Sequence, residues 1–441
     1  MSAPRTLPWP LVALFAAGYL ASYLLPTTVG RLDSGLPLSA TQAGAVGSAL
    51  LLGSATAGFL LASRVDRTGP RVLARAGLAL AALGYGGAAL TGAVPAVVAG
   101  AVVGGLGSGT VTAVAVSGIA GQRDPHRVTT LGLLGVSALA GALYLTIPHL
   151  GPGHGLPLAA LALTALAVWP LTGRLSGRSA PVRPAAGYDR LPHRRSGLLL
   201  TAAMPCWSLA QNALWGVSGR IGLEQAHLTE VTVGVVFAVA LGAGLLGVVG
   251  AGALGPRLGR ALPIGAGTAV IAGCVALGAA ATDLSAFAAG EIAWNLLYPV
   301  VLSYVIALAA SLDPRGRWTV LVGSASSLGT AAGPLAGSAL AAGAGFPAMG
   351  RVLGAGLLLI AVPMTAVALR TGRRPLPAVD VPVMEVPVMG VPPVDVPVAG
   401  VPVTEVPLAA IPVVDIPVVE VPVRTPAVPA RRAYETASPN S

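Results

Sequence analysis

The sequence predicts an all-α membrane protein of twelve transmembrane helices in two pseudo-symmetric six-helix halves, followed by a disordered, proline-rich tail. Three observations carry this reading: a series of membrane-length apolar runs, arginines confined to alternate loops, and an internal repeat. Only 10% of the 441 residues are charged and 54% are hydrophobic, whereas soluble chains carry about 25% charged residues. The net charge of +10 falls in short clusters between apolar runs, so it reads as a topology signal and not as a nucleic-acid footprint.

Apolar runs long enough to cross a bilayer, about 17–25 residues each, fall at 9–29, 41–63, 72–91, 95–120, 128–147 and 155–171. A second set falls at 197–218, 231–255, 262–281, 286–311, 318–343 and 346–369. Helices are expected, because an open strand edge in hydrocarbon would leave backbone groups unpaired. The organisation is then an N-terminal half (1–171), a basic cytoplasmic loop (172–196), a C-terminal half (197–370) and a tail (371–441). Cys206 and Cys274 both lie in apolar runs, so no disulfide framework is expected. The first run is too long for a signal-peptide core and reads as an uncleaved span.

All 26 basic residues are arginine. Arg31, Arg220 and Arg351 fall on one face of the twelve-span arrangement and the other 23 on the opposite face, which makes both termini cytoplasmic. Arginine in place of lysine, with abundant alanine and glycine, points to a GC-rich bacterial source and hence the bacterial inner membrane.

Aligned on itself at an offset of 189 to 190, the chain repeats in four places. Gly30-Arg31-Leu32 returns as Gly219-Arg220-Ile221, and Leu38-Ser39 with Gly44 returns as Leu228-Thr229 with Gly234. Arg67 and Gly69 return as Arg257 and Gly259, and Asp124-Pro125 as Asp313-Pro314, each followed by arginine. Ser39 and Thr229 are expected N-caps of spans two and eight, with Gln42 completing a capping box.

Six spans, a basic loop and six more in parallel order, together with the segment ASRVDRTGPR between spans two and three, resemble the major facilitator superfamily. Asp66, Arg67, Gly69 and Arg71 match that family's loop motif, while Ala62 and Pro70 depart from it. The second copy, GALGPRLGR, keeps Arg257, Gly259 and Arg260 but has Pro256 where the acid would stand. The resemblance implies a cytoplasmic gate made by these residues, to which Asp124 with Arg127 and Asp313 with Arg317 are added as candidates; Arg31 and Arg220 would flank the outer vestibule. It also implies that spans one, four, seven and ten line a central cavity. Gly100 and Ala101 stand where many exporters of the superfamily carry a span-four arginine. Gly329, Gly333, Pro334 and Gly337 reproduce an antiporter spacing, but in span eleven instead of span five.

Glu291 is the only acid deep within an expected span, and a carboxylate in hydrocarbon is costly unless it faces a cavity or is neutral. Three roles are open: a protonatable coupling site, a partner for a substrate cation or amine, or a structural pair with Arg220. Gln211, Asn212 and Trp215 in span seven, Trp294 and Asn295 in span ten, and Tyr19 and Tyr23 in span one form a polar and aromatic set on the cavity helices. Nothing in the sequence suggests an enzyme, a metal site or a bound cofactor: it has no phosphate-binding loop and no H-E-x-x-H, and His149 and His154 read as loop residues.

Proline recurs at every fifth position from Pro377 to Pro422, which forbids a helix and leaves an extended, disordered tail whose partner, if any, is unknown. The expected function is secondary transport of a small organic solute by alternating access. Proton-coupled export of a drug-like compound or secondary metabolite is the leading form, uptake of a small metabolite the nearest alternative, and a non-transporting receptor or scaffold the reading from another class.

The arginine asymmetry makes a direct prediction. Reporter fusions at Gly187 and after Arg374 should report a cytoplasmic location, and a fusion at Gly153 an external one. An external signal from Gly187 would contradict the two-half topology.

Overall fold

The computed structural model describes residues 8–62, 64–122, 124–175, 191–313 and 315–371. The tail and most of the central loop lie outside the described residues, as do the side chains of Asp66 and Arg257. The described residues form fourteen α-helices. These are α1 (Trp9–Tyr23), α2 (Leu25–Gly35), α3 (Ala40–Ala62), the short α4 (Val65–Thr68), α5 (Pro70–Ala89), α6 (Val94–Ala120), α7 (Pro125–Thr146) and α8 (Gly155–Val168). After the loop come α9 (Arg194–Arg220), α10 (Glu230–Leu254), α11 (Ala261–Ala279), α12 (Leu284–Leu312), α13 (Arg317–Ala344) and α14 (Phe346–Thr371).

Among the described residues nine helical segments are long and apolar enough to span a membrane, α8 only together with the 3₁₀ turn that continues it to Arg174, and α1 with α2 makes a tenth, bent by 48°. Leucines such as Leu83, Leu90 and Leu359 stand exposed on outward faces, as a lipid-facing surface requires. The chain is thus a multi-pass membrane protein. Helices α9 and α13, with 27 and 28 residues, are long enough but carry more polar side chains than these nine segments allow. The reason is visible in their contact: Ser208 and Ser326 share a 2.6 Å hydrogen bond and the Asn212 amide donates to Thr330 at 3.3 Å, so their polar atoms are spent on each other.

The bend in the first span has a local cause. Pro26 has no N–H to give the Ser22 carbonyl one turn back. That carbonyl instead accepts from the Trp215 indole at 3.1 Å, while the neighbouring Tyr23 carbonyl accepts from the Tyr144 hydroxyl. The expected caps form as well. Ser39 and Gln42 exchange both bonds of a capping box, and the Thr229 hydroxyl accepts from the Thr232 N–H.

Helix α6 packs on α1, α3 and α5; α12 packs on α10 and α11; and α9 packs on α13 and α14. The most extensive contacts between residues before the central loop and residues after it are α3 with α13, α7 with α10, and α2 with α9. Small residues bring these backbones together, since lipid supplies no hydrophobic force between helices. A Cβ on Gly329 or Gly337 would meet the carbonyl oxygen of Pro205 or Ala213 at 2.1 or 2.2 Å, so the span-eleven glycine element serves the α13–α9 approach.

Gly337→Leu should therefore force α13 off α9 and destabilise the protein by about 1–3 kcal/mol. Gly343→Leu, on the same helix where a Cβ meets nothing within 4 Å, should leave thermal unfolding in detergent unchanged. Equal melting temperatures for the two variants would contradict this packing.

Candidate functional site

Between α1, α7, α9, α10 and α12 lies a cavity with about 760 Å³ of atom-free space, part of it open to solvent. Ser22 and Tyr23 line it from α1, Ser137 from α7, and Asn212 and Trp215 from α9. Helix α12 contributes Trp294, Asn295, Tyr298 and Pro299, and α10 presents an aliphatic wall that includes Leu241 and Val248. The cavity sits where the first-span carbonyls are captured, so the bond from Trp215 to Ser22 is part of its wall.

Most of the expected aromatic and amide set meets here. Tyr23, Asn212, Trp215, Trp294 and Asn295 face the cavity, whereas Tyr19 is buried against Phe15 with ring centroids 4.5 Å apart. Gln211 is fully buried and holds the site from behind: its side-chain oxygen accepts from the Trp294 indole at 2.9 Å. Ser22, Ser137 and Tyr298 are cavity residues that the sequence reading missed. Tyr298 stands one helical turn after Trp294, and that i, i+4 spacing is the signal that could have found it. Its ring also stacks on Trp207 at 5.3 Å.

Glu291 lies one turn before Asn295 on the same face of α12 and is completely buried. One carboxylate oxygen accepts from Ser218 at 2.6 Å, and the other has no hydrogen-bond partner among the described residues. The groups facing it are Ser218 from α9 and Tyr144 from α7, which feels its charge. The pair with Arg220 does not form. Arg220 is held by Asp33 at 3.0 Å and Glu224 at 2.9 Å, with its guanidinium 5.4 Å from the Phe346 ring centre.

The repeat-related arginines do matching jobs. Arg31 reaches past the loop boundary to Glu230 at 2.8 Å and also donates to the Gly151 carbonyl, while Arg220 reaches back to Asp33. Each arginine of the repeat thus binds an acid from the other repeat. Around them lie the close approaches of Gly234 to the Tyr144 carbonyl and of Gly44 to Ser338, and the bond from the Leu335 N–H to Ser48. These contacts draw the two repeats together at this end of the bundle. The cavity reaches away from it along α10, since Val248 is 14 residues, or about 21 Å of helix, beyond Gly234.

At the opposite end, α4 carries Asp66 and the exposed Arg67, and Gly69 takes φ +93° to turn the chain into α5. Arg71 donates to the carbonyls of Gly173 and Leu175, and Arg75 to the Thr172 hydroxyl, which ties the end of the sixth span to the start of α5. In the second repeat Gly259 has φ +62° and Arg260 donates to Ser311 at the end of α12. Asp124 caps α7 by accepting from the Arg127 N–H at 3.0 Å. Asp313 is buried and accepts from Arg317 at 2.6 Å and from the Arg315 N–H at 3.1 Å. Burial works to raise the Asp313 carboxyl, but these bonds outweigh it and leave the group below the usual carboxylate value.

Among the described residues, no cluster of three or more histidine, cysteine or acidic side chains is placed to hold a metal ion. No family model matches the sequence, and no curated protein matches it. The fold does match solved structures. The human organic anion transporter MFSD10 is 17% identical, with a TM-score of 0.62 over 82% of this chain and 100% of that one. The POT family transporter PepTSo is 12% identical, with a TM-score of 0.66 over 84% and 99%. A bacterial homolog of the human lysosomal transporter Spinster, solved in an inward-facing and unoccupied conformation, is 15% identical, with a TM-score of 0.59 over 83% and 94%. The chain shares the fold of these transporter structures.

Proposed function

We propose that the protein is a secondary active transporter that moves a small organic solute by alternating access. The observation that carries this reading is the cavity formed jointly by helices of both repeats, closed at one end by Arg31–Glu230 and Arg220–Asp33. Charge pairs that join two moving bodies can be broken and remade as a unit, and they hold one of two discrete states. On this reading α9 and α13 are spans too, giving twelve. The sealed end faces outward and both termini lie in the cytoplasm, as the arginine distribution requires.

Glu291 is the proposed coupling group. A buried carboxylate with one oxygen unpartnered has an incomplete hydrogen-bond set, and proton uptake would neutralise it without any other rearrangement. Its position one turn before Asn295, which lines the cavity and donates to the Glu291 backbone carbonyl at 3.0 Å, places it next to the cavity wall. Arg220 cannot neutralise Glu291 while it is committed to Asp33. The direction assigned is export, by resemblance to glycine-rich twelve-span exporters of the superfamily.

The test is collapse of a pH gradient in everted vesicles, read with an acridine dye as amines, acids and neutral solutes are added in turn. At least one solute should collapse the gradient in the wild type. Glu291→Gln should abolish that response while membrane levels of the protein stay normal. A variant that collapses the gradient as the wild type does would remove Glu291 from coupling.

A further inference from the structure

The cavity wall carries no described positive charge. No arginine is among the residues that line it, its hydroxyls on Ser22, Tyr23, Ser137 and Tyr298 can donate or accept, and its two amides are oriented by bonds behind them. The Asn212 nitrogen donates to the Ser208 carbonyl at 2.9 Å, and the Asn295 nitrogen to the Glu291 carbonyl. Both donors of the Asn212 amide are thereby used, the second on the Thr330 hydroxyl at 3.3 Å, and one donor of the Asn295 amide, which leaves two amide oxygens as acceptors against a single remaining N–H. Pro299 adds a third acceptor, because it has no N–H for the Asn295 backbone carbonyl.

Around these acceptors stand aromatic rings whose faces carry negative potential. Trp215 and Trp294 lie 5.6 Å apart and tilted, and Trp294 and Tyr298 lie 6.1 Å apart. Both indole N–H groups are consumed, one by Ser22 and one by Gln211, so neither is free to donate to an anion. Beyond Asn295 lies Glu291, with its unpartnered oxygen.

Resting on the transporter reading of this cavity, we propose that its ligand is a lipophilic organic cation. The positive group lies against the Trp215, Trp294 and Tyr298 faces and near the amide oxygens, and the apolar body lies on the α10 wall. Ring faces attract desolvated cations, and Glu291 supplies the long-range counter-charge at low dielectric. An organic anion would find hydroxyls but no described cation on the wall, and ring faces that repel it, so the substrate class named for MFSD10 suits this cavity less well than a cation does.

The test uses two probes of the same shape and opposite charge, tetraphenylphosphonium and tetraphenylborate, bound to the intact protein in detergent at equal concentration. Site-specific binding is the part lost in Gly244→Leu, since a Cβ there has its nearest neighbour, the Asn295 carbonyl, at 3.4 Å and the added side chain would occupy the cavity. Tetraphenylphosphonium should bind at least about tenfold more tightly than tetraphenylborate, and Glu291→Gln should weaken it about tenfold, a change of about 1.4 kcal/mol. Equal or tighter binding of tetraphenylborate, or no cation binding that Gly244→Leu removes, would overturn the assignment. If an acid or neutral solute alone then collapses the pH gradient in vesicles, the transporter reading stands and only the cation assignment falls.

Discussion

One missing hydrogen organises this protein. Because Pro26 has no N–H, the first span cannot close its ladder at Ser22, and a carbonyl is left without its helical partner within the bundle. Trp215 satisfies it, and Tyr144 satisfies the next carbonyl along. Two aromatic side chains are thereby fixed at the junction of α1, α7 and α9. The other rings assemble on them: Phe237 lies 5.2 Å from Trp215 and 5.0 Å from Tyr144, and Trp294 lies 5.6 Å from Trp215. The wall of the cavity is thus built outward from a defect in a helix.

The same bond crosses from the first repeat to the second, so it couples the cavity wall to the seal above it. Arg31 and Arg220 stand nine and five residues beyond Ser22 and Trp215 and grip acids on opposite repeats. Buried charges whose partners lie on separate bodies are poor sources of net stability but strong determinants of which arrangement is allowed. A rocking motion of the two repeats would have to release both arginines and the Trp215 bond together, which makes the closed end an all-or-none element. Glu291 sits within this region, bonded to Ser218 two residues before Arg220 on α9, where its charge state can bias that release.

Helix positions and the caps at Ser39 and Thr229 were legible in the sequence because length, apolarity and side-chain chemistry fix them locally. Of the four spans that the resemblance implied, the first, seventh and tenth line the cavity, whereas the fourth, α6, contributes no lining residue and α7 and α10 stand there instead; amides or tryptophans in so apolar a chain mark themselves. Side-chain direction was not legible. Gln211 and Asn212 are neighbours of the same chemistry on a helix packed on more than one side, so nothing in the pattern said that Gln211 would turn behind the wall and Asn212 into it. Asp33 and Glu230 were also missed as functional residues. Each lies at a helix end, where an acid needs no special explanation, and their arginines stand 187 and 199 positions away in the chain. Only tertiary packing joins them. The polarity of α9 and α13 has the same origin, since two interior helices can satisfy their hydroxyls and amides on each other.

The central claim is that the Arg31 and Arg220 pairs hold one end shut and that their release opens that end while closing the other. It is tested most directly by electron–electron distance measurements on two spin-label pairs, Ser34 with His227 at the sealed end and Thr68 with Leu258 at the other, before and after Asp33→Asn with Glu230→Gln. The account predicts opposed shifts: a longer Ser34–His227 population and a shorter Thr68–Leu258 population in the variant. Unchanged distances, or both pairs lengthening together, would contradict it.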